Sequence, residues 1–261
     1  MIFDNHSHTQ FSSDSDMVAR EAIETMSQKG LGLVFTEHYD FDYRESIHYK
    51  DMDFLFDAQE YWQAYEGYRQ DNLRLGVELG LTSGSIAANQ EFLTKAPFDL
   101  VIGSIHALEG LDIYYPEFYQ GKEQQEAYHQ YLQQMQAMVE ANSYIDILGH
   151  IDYIARYAPY PQPGLSYENF AQDIDGVLQA VIANDIVMEL NTRRLGEPGV
   201  YQELLPIYQS YARQGGKYLS LGSDAHSTDK LGMNFSLGQQ MAQACALTLV
   251  TFKERKLEIC Q

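Results

Sequence analysis

Along the chain, runs of nearly continuous apolar residues alternate with segments whose apolar positions recur every three to four residues. The continuous runs fall at 1–8, 32–38, 73–82, 100–108, 147–152, 186–192 and 218–226. Strands of a parallel sheet are covered on both faces, so they read as unbroken apolar stretches rather than as alternating ones. Helix-like segments follow at 17–30, 58–72, 84–95, 123–141, 169–184, 200–214 and 236–246. In 123–141, Ala127, Tyr131, Met135 and Met138 make an apolar stripe among glutamines. Lys29-Gly30 and Gln214-Gly215-Gly216 read as helix stops, because glycine accepts the left-handed conformation that ends a helix. Seven strand-then-helix units with no break in composition predict one α/β domain over 1–261, a closed barrel of parallel strands.

Three connections are longer than the rest, 39–57, 109–122 and 153–168, and each follows a strand. They are rich in tyrosine and carboxylates, and the last carries Arg156. Loops at the C-terminal ends of barrel strands are where such a fold places recognition.

Composition narrows the partners. Hydrophobic residues make up 45% of the chain, enough for a sizeable core, and no stretch has membrane-spanning length. The formal net charge is -20, from 37 acids against 17 bases, which argues against nucleic-acid backbones and anionic membranes. An anionic substrate would be repelled unless cations were concentrated locally, and bound metals would supply them. Cys245 and Cys260 form no spaced framework, and no basic, apolar leader precedes the first histidines. A reduced, cytoplasmic protein is the expectation.

The strand-like runs end on metal-ligand chemistry. The first ends His6-Ser7-His8, with Asp14 six residues on. The others carry Thr36-Glu37-His38, Glu78, Gly103-Ser104-Ile105-His106, Gly149-His150-Ile151-Asp152, Glu189-Leu190-Asn191 with Arg193-Arg194, and Gly222-Ser223-Asp224-Ala225-His226. Six of the eight histidines thus fall at strand ends located from hydrophobicity alone. His129, on the polar face of a helix, and His48, in a loop, are expected to have no role. A strand-end histidine by itself is more often a hydrogen-bonded packing residue, Glu78 alone could be half of an ion pair, and Asp224 alone a helix cap. A shared cause for all of them is a metal cluster. Six imidazoles and three carboxylates exceed what one ion needs and suit two or three; the absence of thiolate ligands points to zinc, manganese or iron.

The blocks His6-Ser7-His8, Thr36-Glu37-His38, Gly103-Ser104-Ile105-His106 and Gly222-Ser223-Asp224-Ala225-His226 resemble the PHP (polymerase and histidinol phosphatase) family of metal-dependent phosphoesterases over the whole chain. Glu78 and His150 match the family's remaining ligand positions, and Ser12-Ser13-Asp14-Ser15-Asp16-Met17 is similar to its histidinol-phosphatase branch. Many members carry a histidine where this chain has Asp14, and a carboxylate is also a competent ligand. The resemblance implies a distorted, TIM-like (βα)7 barrel with its metal site at the C-terminal ends of the strands. It implies His6, His8, Asp14, His38, Glu78, His106, His150, Asp224 and His226 as metal ligands.

The implied reaction is in-line attack on phosphorus by a metal-activated water, with no protein nucleophile. Glu78, Asp224, His226, Arg156 and Arg193 are the expected catalytic residues. Arg156, Arg193 and Arg194 would clamp phosphate, because a guanidinium fork matches its oxygens. Asn191 is expected at the substrate, and Asp152 is expected to orient an imidazole. Asp40 and Asp42, with Glu45, are expected to receive the amine of L-histidinol phosphate. Hydrolysis of that small phosphate ester is the first reading. A second is a related esterase acting on a nucleotide or phosphotyrosine. A third, a non-enzymatic metal-binding module, is disfavoured by the complete ligand set.

Overall fold

Burial on both faces brings the apolar runs together as parallel strands. In the computed structural model, residues 1–42 and 54–260 are described. The first elements are β1 (Phe3–Asp4), α1 (Ala19–Gln28), β2 (Gly32–Tyr39), α2 (Ala58–Tyr65), β3 (Leu73–Gly80), α3 (Ile86–Leu93) and β4 (Leu100–Ser104). A small hairpin, β5 (Ala107–Leu108) and β6 (Leu111–Asp112), precedes α4 (Gln124–Ala141), β7 (Ile147–Leu148), α5 (Ile154–Tyr157) and α6 (Tyr167–Ala183). The chain finishes with β8 (Val187–Asn191), α7 (Val200–Arg213), β9 (Tyr218–Gly222), α8 (Phe235–Ala244), β10 (Thr248–Lys253) and β11 (Lys256–Ile259).

Among the described residues the main sheet runs β1-β2-β3-β4-β7-β8-β9-β10-β11, parallel except for the final pair. The ring closes between its first and seventh strands. Asn5 N donates to Leu221 O at 2.9 Å, Asp224 N to His6 O at 2.8 Å and His8 N to Ala225 O at 2.9 Å. The far edge of β9 is therefore divided: β10 pairs with its start at Tyr218 and Leu219, and the β1 segment with its end. This makes a distorted barrel of seven parallel strands, as the seven units predict.

Inside the ring, Phe3, Val34, Leu100, Ile102, Ile147 and Val187 form one apolar layer, and Val250 and Phe252 of β10 close it from below. The sequence reading did not anticipate β10 and β11. Nor did it anticipate that regular strand pairing of β1 stops at Asp4 and of β7 at Leu148. Beyond those points isolated main-chain bonds continue, such as Thr36 N to Ser7 O at 2.8 Å and Gly149 N to Gly103 O at 2.9 Å, and side chains supply the rest. Helix 58–72 also ends early, at Tyr65, passing into a 3₁₀ turn. The glycine stops are real. Leu31 N bonds Met26 O and Gly216 N bonds Tyr211 O, with Gly30 and Gly215 at φ +68° and +110°.

Candidate active site

Each parallel strand ends at the same rim of the barrel, and there the polar residues gather. Glu78, on β3, is fully buried at the centre. Its Oε2 lies 3.1 Å from His6 Nε2, 3.4 Å from His8 Nε2 and 2.9 Å from His38 Nδ1. Its Oε1 lies 3.3 Å from His106 Nε2 and 2.9 Å from His150 Nε2, and accepts from Ser104 Oγ at 2.7 Å. Gly149 makes this last contact possible, because a Cβ there would sit 2.3 Å from Ser104 Oγ. Asp224 adds a second carboxylate, with Oδ1 at 3.5 Å from His8 Nε2 and 3.8 Å from His6 Nε2. Its φ of 54° puts it in the left-handed region, a strain that clusters at functional sites. At the outer rim His226 Nε2 is 3.0 Å from Asp14 Oδ2, and His38 Nε2 is 3.6 Å from it.

The electrostatics follow from this crowding. Burial pushes the Glu78 carboxyl up, but His6, His38 and His106 outweigh it and hold it well below the ordinary range. Burial likewise opposes ionisation of Asp224, and Arg156, then His6, overcome it. Burial disfavours a charged His106, yet Asp40 and Glu78 push it up to about 10. For His8 the balance falls the other way: burial, then His38 and His226, outweigh Asp224 and Glu78 and hold it well below the usual imidazole value.

The donor set fits metal ions. His6 Nε2, His8 Nε2, His38 Nδ1, Glu78 Oε2 and His150 Nδ1 are buried atoms with no hydrogen-bond partner among the described residues. Such atoms are costly unless something binds them. Four groups bring ligand atoms within 4.8 Å of one another: His8, His38 and His226; His6, Glu78 and His150; His6, His8 and Asp224; His38, Asp40 and His106. Nitrogen-to-oxygen gaps near 3 Å are what two ligands have when each is about 2.1 Å from a shared ion.

The cluster floors a cavity of about 350 Å³ lined also by Phe54, Asp112, Tyr114, Tyr115, Tyr153, Arg156, Tyr157 and Arg193. Arg156 is anchored by Nη1 to Asp224 Oδ2 at 2.6 Å, whereas the Arg193 side chain is 43% exposed.

Other residues singled out in the sequence take places that their positions along the chain did not indicate. Arg194 is not among the described residues that line the cavity; its Nη1 donates to Asp152 at 3.1 Å. Asn191 lies behind Asp224, with Nδ2 3.4 Å from Asp224 Oδ2 and 3.3 Å from Glu189 Oε2. Asp40 accepts from His106 Nδ1 at 2.8 Å and also lines the cavity, so it is part of the imidazole cluster. Asp42 accepts from the Thr82 hydroxyl and lines a second, smaller pocket. Glu45 and His48 lie outside the described residues. His129 sits at the surface against Asp173, away from the cluster, as expected.

Two carboxylates were missed. Glu37 accepts from Ser12 Oγ at 2.8 Å, and Ser12 Oγ lies 3.1 Å from His8 Nδ1. Glu189 accepts from His6 Nδ1 at 2.7 Å. An acid inside an apolar strand was the available signal in both cases.

Among the described residues no helix is long and apolar enough to cross a membrane. A family model described as PHP domain matches residues 4–193. A probable histidinol-phosphatase of Clostridium acetobutylicum is 40% identical over 258 residues, 99% of each chain. A histidinol-phosphatase of Lactococcus lactis subsp. lactis is 27% identical over 263 residues, covering 98% of this chain and 96% of that one. The crystal structure of a histidinol phosphate phosphatase from Lactococcus lactis subsp. lactis, complexed with zinc, L-histidinol and phosphate, matches with a TM-score of 0.91 at 28% identity over 98% of both chains. With its cluster of imidazoles and carboxylates at the rim of a parallel barrel, this chain belongs to the PHP domain family.

Proposed function

We propose that the protein hydrolyses L-histidinol phosphate to L-histidinol and phosphate, a step of histidine biosynthesis, as a single cytoplasmic domain over residues 1–261. The observation that carries this reading is one buried carboxylate, Glu78, within 3.4 Å of five imidazoles on the floor of a cavity that also holds two arginines. The near-full-length relatives support the choice of phosphate ester. His6, His8, Asp14, His38, Glu78, His106, His150, Asp224 and His226 would hold two or three divalent ions, zinc, manganese or iron. Bound there, such ions lower the pKa of water towards neutrality and offset the charge on phosphoryl oxygens.

The chain's own residues do the rest. Arg193 is exposed enough to reach a phosphate entering the cavity. Arg156 holds Asp224 in place and keeps its guanidinium charged at the cavity wall, since Asp224 and Asp152 more than offset its burial. Tyr153 packs against His106 and His150, with ring centroids 5.1 and 4.9 Å away, and limits how those rings can turn. Tyr114, Tyr115 and Tyr157 supply aromatic walls for a flat leaving group.

The test is phosphate release by purified protein from histidinol phosphate, nucleotides and phosphotyrosine, with added manganese or zinc. The highest kcat/KM is expected on histidinol phosphate. A preference for a nucleotide or phosphotyrosine would move the substrate assignment while keeping the chemistry. Metal below one ion per chain, not restored by manganese, iron or zinc, would remove the chemistry itself.

A further inference from the structure

Glu189 lies on β8, fully buried, and none of the metal-ligand groups includes it. Its two oxygens grip ligands from two other parts of the barrel. Oε1 is 2.7 Å from His6 Nδ1, and Oε2 accepts the main-chain N–H of His150 at 2.7 Å. Asn191 Nδ2 reaches Glu189 Oε2 at 3.3 Å and Asp224 Oδ2 at 3.4 Å, so the same carboxylate is tied to a third ligand. Behind it, the Tyr208 hydroxyl donates to the Glu189 carbonyl at 2.5 Å. On the next strand, Gly222 leaves the space it needs. A Cβ there would lie 2.2 Å from Glu189 Oε1 and 2.5 Å from His6 Cβ.

The hydrogen bonding dictates the tautomer of His6. An ionised carboxylate can only accept, so His6 Nδ1 must carry the proton. In the neutral ring, the form that binds metal, the lone pair is then on Nε2, the buried atom that faces Glu78 and has no hydrogen-bond partner among the described residues. Glutamine is the same size but has one acceptor and one donor end. If its oxygen keeps the His150 N–H, its amide must donate to His6 Nδ1. The imidazole proton would then move to Nε2 and block the ligand position.

We propose that Glu189 is a positioning residue for the metal centre: its charge, rather than its bulk, holds His6 in the metal-binding tautomer and ties that ring to His150 and Asp224. This rests on reading the imidazole cluster as a metal centre.

Two measurements test it. In zinc-loaded wild-type protein, ¹⁵N NMR of the imidazoles should show His6 protonated on Nδ1 and bound to metal through Nε2; binding through Nδ1 would overturn the proposal without any variant. In E189Q, zinc competition with a chelator should show affinity weakened by about 10- to 100-fold, the range typical of lost outer hydrogen-bond partners of metal ligands. The His6 ¹⁵N signals should switch to the Nε2–H pattern, and excess zinc should restore turnover. Folded E189Q with wild-type zinc affinity and an unchanged His6 tautomer overturns the proposal. Wild-type protein that binds no zinc would instead sink the metal-centre reading beneath it.

Discussion

A carboxylate ringed by imidazoles stays ionised only because the ring of positive and ion-accepting groups offsets the loss of water. Glu78 shows this: burial alone would neutralise it, and His6, His38 and His106 reverse the sign. Removing it should therefore do more than weaken binding. Glu78→Ala is expected to abolish turnover and lower metal affinity by at least about 100-fold, beyond the loss typical of an outer partner. Elemental analysis and kcat check this; a near-normal kcat would show the cluster is misassigned. His129→Ala, at a surface pair with Asp173, should leave activity and metal content unchanged and shift stability by no more than about 0.5 kcal/mol. Asp40 and Asp42 separate in a similar way. Asp40 holds His106, so Asp40→Asn should lower kcat/KM for histidinol phosphate and for an uncharged aryl phosphate by the same factor. Asp42→Asn, which alters the contact with Thr82 in the side pocket, should leave both near wild type. A loss confined to histidinol phosphate in either variant would restore them as amine receptors.

At the scale of elements, the hairpin of β10 and β11 is what the apolar pattern failed to announce. β11 is exposed along its length, and the turn has Glu254 and Arg255 at φ 51° and 63°. A two-residue hairpin needs such angles, and asparagine-glycine would adopt them with less strain. The turn is secured from outside instead. Asp99 accepts from the N–H groups of Leu75 and Glu254 at 3.0 Å each and pairs with Arg69 Nε at 2.8 Å. Burial pushes the Asp99 carboxyl up, but Arg69 and those N–H groups hold it below the usual range. A carboxyl depressed in the folded state adds stability above its unfolded pKa, and that gain is lost as pH falls through the folded value. Asp99→Asn is expected to cost about 1.5–3 kcal/mol at neutral pH. The gap should narrow as pH falls below about 4, the range in which carboxyl groups take up protons. Urea melts at pH 7 and pH 3 decide it; a gap independent of pH would mean the charge is not the source.

For the whole molecule, the rim of the barrel concentrates buried polar groups that only bound ions satisfy well. Chelation should therefore lower Tm as well as activity. At a thousand-fold excess of free metal over its dissociation constant, one site adds about 4 kcal/mol to stability. Calorimetry with and without chelator, followed by zinc readdition, measures this directly. An unchanged Tm on full metal removal would show that the cluster is stable without ions. The net charge of -20 bears on a different property. It repels anions at long range, so capture of a phosphate ester has to be local, through the ions and arginines at the cavity.

The order of the seven parallel strands and their helices, and the barrel they make, were legible from sequence, because each has a local signature. Parallel strands buried on both faces read as apolar runs, and the imidazoles and carboxylates proposed to hold metal stand where those runs reach the rim. Even Asp14, outside any strand, reaches His226 and His38. What the chain order could not express is which side chain faces which across the ring. Arg193 and Arg194 are neighbours, yet one lines the cavity and the other pairs with Asp152. Asp40 and Asp42 are two residues apart, yet only Asp40 lines the main cavity, while both line the smaller pocket beside it. Glu189 looked like one more acid in an apolar strand until folding set it against His6, 183 residues away. Those pairings depend on closure of the barrel and on the space left by Gly149 and Gly222, where a single methyl group would displace the partners. Hydrophobic burial is non-directional and shows in composition and period; hydrogen bonds and ion pairs are directional and are decided only when the strands meet.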